Sequence, residues 1–260
     1  MTAEAQTDGK KEIQNKKAFL LPVWWIFIKE MHSFFGSNLP PFTLGIFAVM
    51  SGLVSVLIAL SPNVTYEGVT RALFYFFYII IIMISLFLSM SAVVSERKQG
   101  TLELLRTLPV SDAEIVLGKF LPGIVYVAFM SLSVCLVYIL WIAEGPFYMV
   151  LAGFPGLLLA GLFAYSVGIF ASSIAENHIV SLLIASGIII FIEVGGFMGG
   201  LLPEPAKSMV THMHAIGQYS PFTRGVIPFR GMIFFLSMIF LFLFLSVKVL
   251  ESRRWRSNDF

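Results

Sequence analysis

Few side chains in this sequence have the type and setting to do chemistry. The foremost is Glu193, inside the apolar run Ile188–Val194. An unpaired carboxylate at mid-depth in a bilayer costs about 2–3 kcal/mol or more, so it needs a reason. One reading makes it the lining of a translocation path or a proton site. The other ends the apolar run early at Gly195-Gly196, leaving Glu193 near the outer boundary, where it caps helices or meets Arg224 or Arg230. His212 and His214 form an H-x-H pair, but two histidines without a third ligand do not make a metal site, and none is expected. Gly118-Lys119 is followed by Phe120 and lacks the upstream glycine of a phosphate-binding loop, so the chain is not expected to hydrolyse nucleotide by itself. No G-x-S-x-G and no facing carboxylate pair is present, which argues against a hydrolase. Cys135 is the single cysteine, which excludes an internal disulfide and a thiolate cluster within one chain. The residues therefore point to a non-enzymatic protein.

The elements that must hold these residues are membrane spans. With 58% hydrophobic content and 26 Phe in 260 residues, the chain is too apolar for a soluble globular domain. Apolar runs of roughly 20 residues suffice to cross ~30 Å of hydrocarbon. Six such runs are expected, at 42–60, 72–94, 121–142, 149–174, 179–202 and 231–250, in an all-α integral membrane fold. About forty residues precede the first run with no small-residue cleavage site, so a removable signal peptide is not expected. Thirteen Lys and Arg fall in the N-terminal flank, the loop after the second run and the C-terminal end, against four on the other side. That asymmetry places both termini in the cytoplasm.

The span domain covers 18–260, after a Lys-rich N-terminus over 1–17 that is expected to be disordered. Trp24, Phe27, Ile28, Met31, Phe34 and Phe35 recur at helical spacing on one face, opposite Lys29, Glu30, His32 and Ser33, with Trp25 and Ile26 off the pattern. This predicts an amphipathic helix over about 23–36 lying in the headgroup plane. The loop 95–119 holds most of the charge; Ser95–Phe120 has four basic and four acidic residues in a chain that is 12% charged. Its Leu102, Leu104, Leu105 and Leu108 alternate with Glu103 and Arg106, and Pro109 ends that turn. Ser111 then opens S-D-A-E, a capping box with Glu114 before Ile115-Val116-Leu117. Two short helices at a membrane surface are predicted, shaped to be gripped by another protein. On the outer side, 203–229 keeps Met209, Val210, Ile216, Phe222, Val226 and Ile227 apolar behind Gly195, Gly196, Gly199 and Gly200. Broken helices re-entering the bilayer fit that pattern. The outer loops 61–70 and 144–148 are too short for an extracytoplasmic domain.

E-R-K-x-G-T-L-E-L-L from Glu96 to Leu105, L-P-V-S at Leu108–Ser111 and G-K-F at Gly118–Phe120 resemble the loop after span two in ABC type-two permeases. These are six-span membrane subunits of one class of ABC transporter. R-G-V-I at Arg224–Ile227, F-L-S at Phe235–Ser237 and L-E-S-R-R-W at Leu250–Trp255 are similar to the permease of gliding-motility-associated ABC systems. The nitrous-oxide-reductase maturation permease is a nearby relative. The resemblance covers Lys16 to Trp255. It implies that 23–36 is the interfacial connecting helix, that Glu96–Leu108 is the coupling helix seated in a groove of an ATPase, and that 203–229 forms outer re-entrant helices.

It further implies two ATPase subunits, which carry the ATP and Mg, and a second permease copy or a paralogue. Membrane lipid is a partner, nucleic acid is not, and the location implied is the bacterial cytoplasmic membrane. Within it, Glu96 and Arg97 are the expected polar contacts to the ATPase, Gly100 permits the turn beside Thr101 and Glu103, and Leu102, Leu104 and Leu105 form the buried knob. An extracytoplasmic auxiliary protein would bind near Ser220, Pro221, Phe222 and Arg224. The activity implied is export of a lipid-like or amphipathic substrate, or force applied to that outer partner. The competing class is an ATP-independent channel or proton-coupled carrier centred on Glu193.

Overall fold

Helices account for all the regular structure in the computed structural model, which describes residues 23–32, 36, 39–59, 65–100, 110–141, 147–198, 203 and 214–257. In chain order these are α1 (residues 23–32), α2 (Leu39–Ala59), α3 (Tyr66–Ser89), α4 (Val94–Lys98), α5 (Asp112–Trp141), α6 (Phe147–Ile174), α7 (His178–Met198), α8 (Ala215–Tyr219), a 3-10 turn (Phe222–Arg224) and α9 (Phe229–Ser257). Among the described residues, five helical stretches are long and apolar enough to cross a membrane: Tyr66–Lys98, Asp112–Leu136, Phe147–Ile174, His178–Gly196 and Phe229–Arg253. The first expected span falls on α2, where the shorter apolar stretch Pro41–Val54 lies.

The helix ends explain where the observed elements depart from the expected runs. Thr65 caps α3, accepting the Gly68 N–H at 3.3 Å, so this helix begins at Tyr66 and takes up part of the expected outer loop. The Ser111 capping box forms as written in the sequence: the Ser111 N–H donates to Glu114 Oε2 at 2.6 Å and the Glu114 N–H to Ser111 Oγ at 3.3 Å. Its helix does not stop after one turn, however. Instead of a second short surface helix, it opens α5 and runs on through Pro122 to Trp141. The Gly195-Gly196 pair likewise does not end α7, which continues to Met198.

α6 is the central helix. Its most apolar window is 78% buried inside the protein, against 22% in α7 and 28% in α9. It packs on α3, α5, α7, α9 and the 3-10 turn. The sequence permits this through Gly156, Ala160, Ala164, Gly168 and Ser172, small residues spaced four apart that let neighbouring backbones approach closely. At Gly153 an added Cβ would meet the Phe74 ring, and at Gly168 it would meet Ser89 Oγ. Tyr126, Val127, Met130, Leu157, Ala160, Phe163 and Phe235 fill the surrounding core.

Candidate functional site

Two polar clusters sit at opposite ends of this helical assembly. One, labelled inner after the orientation that the charge asymmetry predicts, is built on α1, α4 and α5, and the one at the other end is labelled outer. Lys119 of α5 is almost fully buried and is held by two carboxylates, Glu96 Oε2 of α4 at 2.9 Å and Glu30 Oε1 of α1 at 3.0 Å. Lys29 of α1 reaches Glu96 Oε1 at 3.2 Å from a side chain that is 56% exposed. Four alternating charges thus tie three elements together, and each buried charge has an opposite partner. The Lys119 carbonyl also accepts the Tyr165 hydroxyl of α6 at 3.4 Å.

Glu96 is therefore turned inward rather than presented to a docked chain. Arg97 too is committed within the protein: its guanidinium donates to the carbonyls of Ala175 and Ser173, the second at 2.8 Å. Ahead of them, Ser172 Oγ accepts the N–H groups of Val93 and Val94 and donates to the Met90 carbonyl at 3.1 Å. Gly100 follows α4 with φ +69°, the left-handed conformation that L side chains rarely adopt. Thr101, Leu102, Glu103, Leu104 and Leu105 lie outside the described residues.

On α1 the packing differs from the expected pattern. Val23 and Ile26 are its buried side chains, and Ile26, which the periodicity left aside, lies so close to Gly118 that a Cβ there would strike it. Trp24 and Trp25 are exposed, while Phe27, Ile28 and Met31 are half-buried. The protein-facing stripe is thus Val23, Ile26 and Glu30, set by the contact with α5. Phe34 and Phe35 lie outside the described residues.

The outer cluster centres on Glu193. Its Oε1 accepts the Tyr78 hydroxyl at 2.6 Å, and its Oε2 accepts the Ile216 N–H at 3.3 Å, next to His214 Nδ1 at 3.4 Å. The carboxylate thereby caps the first turn of α8, as one sequence reading allowed, but Tyr78 and His214 take the place of the arginines expected there. The close approach depends on Gly196, where a side chain would run into the His214 ring. Glu193 and Tyr78 also line a groove of about 450 Å³ between α3 and α7, otherwise walled by Ile82, Leu86, Leu182 and Ile189. Tyr219 stacks on Tyr78 with ring centroids 4.5 Å apart and donates to the Phe74 carbonyl at 3.1 Å. Burial, with Tyr75 nearby, holds its phenol well above the ordinary tyrosine range.

Of the outer residues singled out from the sequence, Phe222 is fully buried, packed under Gly156 and Tyr219. It is a core residue and cannot meet a partner from there. Ser220 and Pro221 are half-buried and Arg224 is exposed. The exposed apolar side chains beside it are Val226, Ile227 and Phe229. Among the described residues no group of three or more His, Cys, Asp or Glu is placed to hold a metal.

The model of the ABC-2 family transporter protein matches residues 2–241, nearly the whole chain. The chain belongs to the ABC-2 transporter family. No curated protein matches it. Membership makes this ABC-2 chain a multi-pass membrane permease, a type of transporter subunit that is generally non-catalytic and works with an ABC ATPase. Its several long apolar helices agree with that assignment.

The sequence reading missed Lys119 as a buried charge and α6 as the central helix. The signal for α6 was present in the four-residue spacing of small side chains. No local pattern marks Lys119 as buried, because its partners Glu96 and Glu30 lie 23 and 89 residues away along the chain.

Proposed function

We propose that this ABC-2 permease is one of two permease subunits joined to two ATPase subunits, and that force from ATP binding enters through 94–108. The supporting observation is the inner charge cluster, which fastens the start of that segment to α1, α5 and, through Arg97, α6. A segment held so firmly transmits a push to the spans; one hanging free would not. In this reading Leu102, Leu104 and Leu105 enter the ATPase groove, with Thr101 and Glu103 beside them. Glu96 and Arg97 hold the segment from within. The charge asymmetry supports six spans with both termini inside a bacterial cytoplasmic membrane, α2 being the first; its 21 residues carry no charge. α1 then lies at the inner surface with Trp24 and Trp25 toward lipid.

Work done outside is either export of an amphipathic substrate along the α3–α7 groove past Glu193, or force on an extracytoplasmic partner as in gliding-motility systems. Such a partner would meet Arg224, Val226, Ile227 and Phe229. The test is affinity purification of the full chain from its native membrane. An ATPase should copurify, and replacing Leu104 and Leu105 together by Asp should release it while the chain stays folded. Retention of the ATPase by that double variant would refute the assigned docking segment. Flux through vesicles holding the chain alone would favour the channel or carrier centred on Glu193.

A further inference from the structure

The inner end of α6 gathers more cation than capping one helix requires. Its last carbonyls, left without intrahelical partners, attract donors and positive charge. Here two guanidinium groups from distant parts of the chain share three consecutive carbonyls. Arg97 of α4 takes those of Ser173 and Ala175, while Arg253 of α9 takes that of Ile174 at 2.6 Å. One residue earlier, Ser172 Oγ fixes the turn between α3 and α4 through the Val93 and Val94 amides. Two residues later the chain reverses: Asn177 Oδ1 accepts the Val180 N–H at 2.8 Å and starts α7. Within six residues, Ser172–Asn177, the end of α3, α4, the α6–α7 hairpin and α9 are all joined.

We infer that the Ser172–Asn177 turn is a transmission junction, in which Arg97 and Arg253 are positioning residues that make α4, the α6–α7 hairpin and α9 move together. This rests on the reading that force enters through the segment after α4. If α4 withdrew alone, the Arg97 guanidinium and two carbonyls would separate inside a half-buried site, and Ser172 would lose both amides. Those losses favour carrying the end of α6 along. Because α6 packs on α3, α5, α7 and α9, its displacement reaches most of the spans. Arg253 couples the last helix to the same point without a hydrogen bond to α4. A purely local cap would serve one helix; this arrangement makes the stability of one segment depend on an arginine in another.

The experiment uses the full-length chain in lipid nanodiscs and follows amide hydrogen exchange. Arg253→Gln should speed exchange in residues 94–100 about tenfold, although Arg253 makes no hydrogen bond to them, because the shared turn loosens. Unchanged exchange there would mean two independent caps and overturn the inference. A second measurement uses the complex with its ATPase. In a Cys135→Ala background, an environment-sensitive fluorophore on Glu176→Cys should respond to ATP. Arg97→Gln should keep the ATPase bound yet lose that response, and Arg97→Lys, which keeps the charge without the two-carbonyl fork, should recover it only in part. Release of the ATPase by Arg97→Gln would make Arg97 a partner contact, and an undiminished response would mean force bypasses the turn; either overturns the inference. If no ATPase copurifies with the parent chain, it is the proposed function that fails, while the exchange experiment still decides whether the turn acts as a junction.

Discussion

Lys119→Met gives the most direct measure of how the inner cluster holds the segment that begins at α4. The substitution keeps the side chain's length and removes its charge, leaving Glu96 and Glu30 without their shared partner. Breaking a buried ion pair from one side costs about 3–5 kcal/mol. Two features of this site reduce the cost. Glu96 keeps Lys29, but that lysine is 56% exposed and such a pair contributes about 1 kcal/mol or less. Glu30 is 22% exposed and can turn toward water. The expected loss is therefore at the low end, about 3 kcal/mol. For a chain of this size, about 2–4 °C per kcal/mol gives a melting temperature lowered by about 6–12 °C.

The assay is thermal unfolding of the full chain in detergent, read by the fraction that stays monodisperse after heating. Adding Glu96→Gln to Lys119→Met removes the stranded carboxylate. The double variant should then melt above the single one, with a coupling of about 1 kcal/mol or more. A Lys119→Met chain melting within about 2 °C of the parent would show that the cluster does not hold the segment. A double variant that loses the full sum of both singles would show that the two side chains act independently.

Three further outcomes follow from packing and hydrogen bonding. Gly168→Ala forces a methyl group against Ser89 Oγ between α3 and α6 and should cost about 1–3 kcal/mol, whereas Gly187→Ala, which meets nothing, should be neutral or slightly stabilising; melting of the two variants side by side checks this. Ser172→Ala strands the Val93 and Val94 amides and should cost about 1–3 kcal/mol, with faster hydrogen exchange in the α3–α4 turn and α4. Tyr78→Phe removes one donor from Glu193 while keeping the ring stacked on Tyr219, so it should cost about 1–2 kcal/mol; an unchanged melting temperature would show that the hydroxyl does not help hold the carboxylate.

The apolar runs and the Ser111 capping box could be read from the sequence because both depend on residues close together along the chain. The family resemblance was legible for the same reason, since its motifs are contiguous. Contacts between distant residues were not legible. Ile26 packs on Gly118 and Glu30 pairs with Lys119, contacts that the periodicity of α1, which marks a membrane-facing stripe, does not reveal. The resemblance implied Glu96 and Arg97 as contacts to an ATPase, yet within the chain Glu96 pairs with Lys119 and Lys29 and Arg97 with the Ser173 and Ala175 carbonyls, which no local pattern links to them. Phe222 is one of the apolar residues of 203–229 expected near an outer partner, and its burial depends on Gly156, far away along the chain. Glu193 was recognised as needing partners; Tyr78 could not be named, being 115 residues away.

α6 and α7 are joined by Ala175, Glu176 and Asn177 alone, so neither helix can shift far along its axis without the other. The α6 end of that hairpin is held by Arg97, Arg253 and Ser172. At the far end of α7, Glu193 holds Tyr78 of α3 and the first turn of α8. The hairpin is thus anchored at both ends by hydrogen bonds, and small residues on α6 bring it close to α3 and the 3-10 turn. Close backbone packing of that kind resists bending and tolerates rocking, because a bend would open voids along the whole Gly156–Ser172 stripe. A push delivered at α4 would then tilt the hairpin as a body, and the first contacts to change at the outer end would be those that Glu193 makes with α3 and α8.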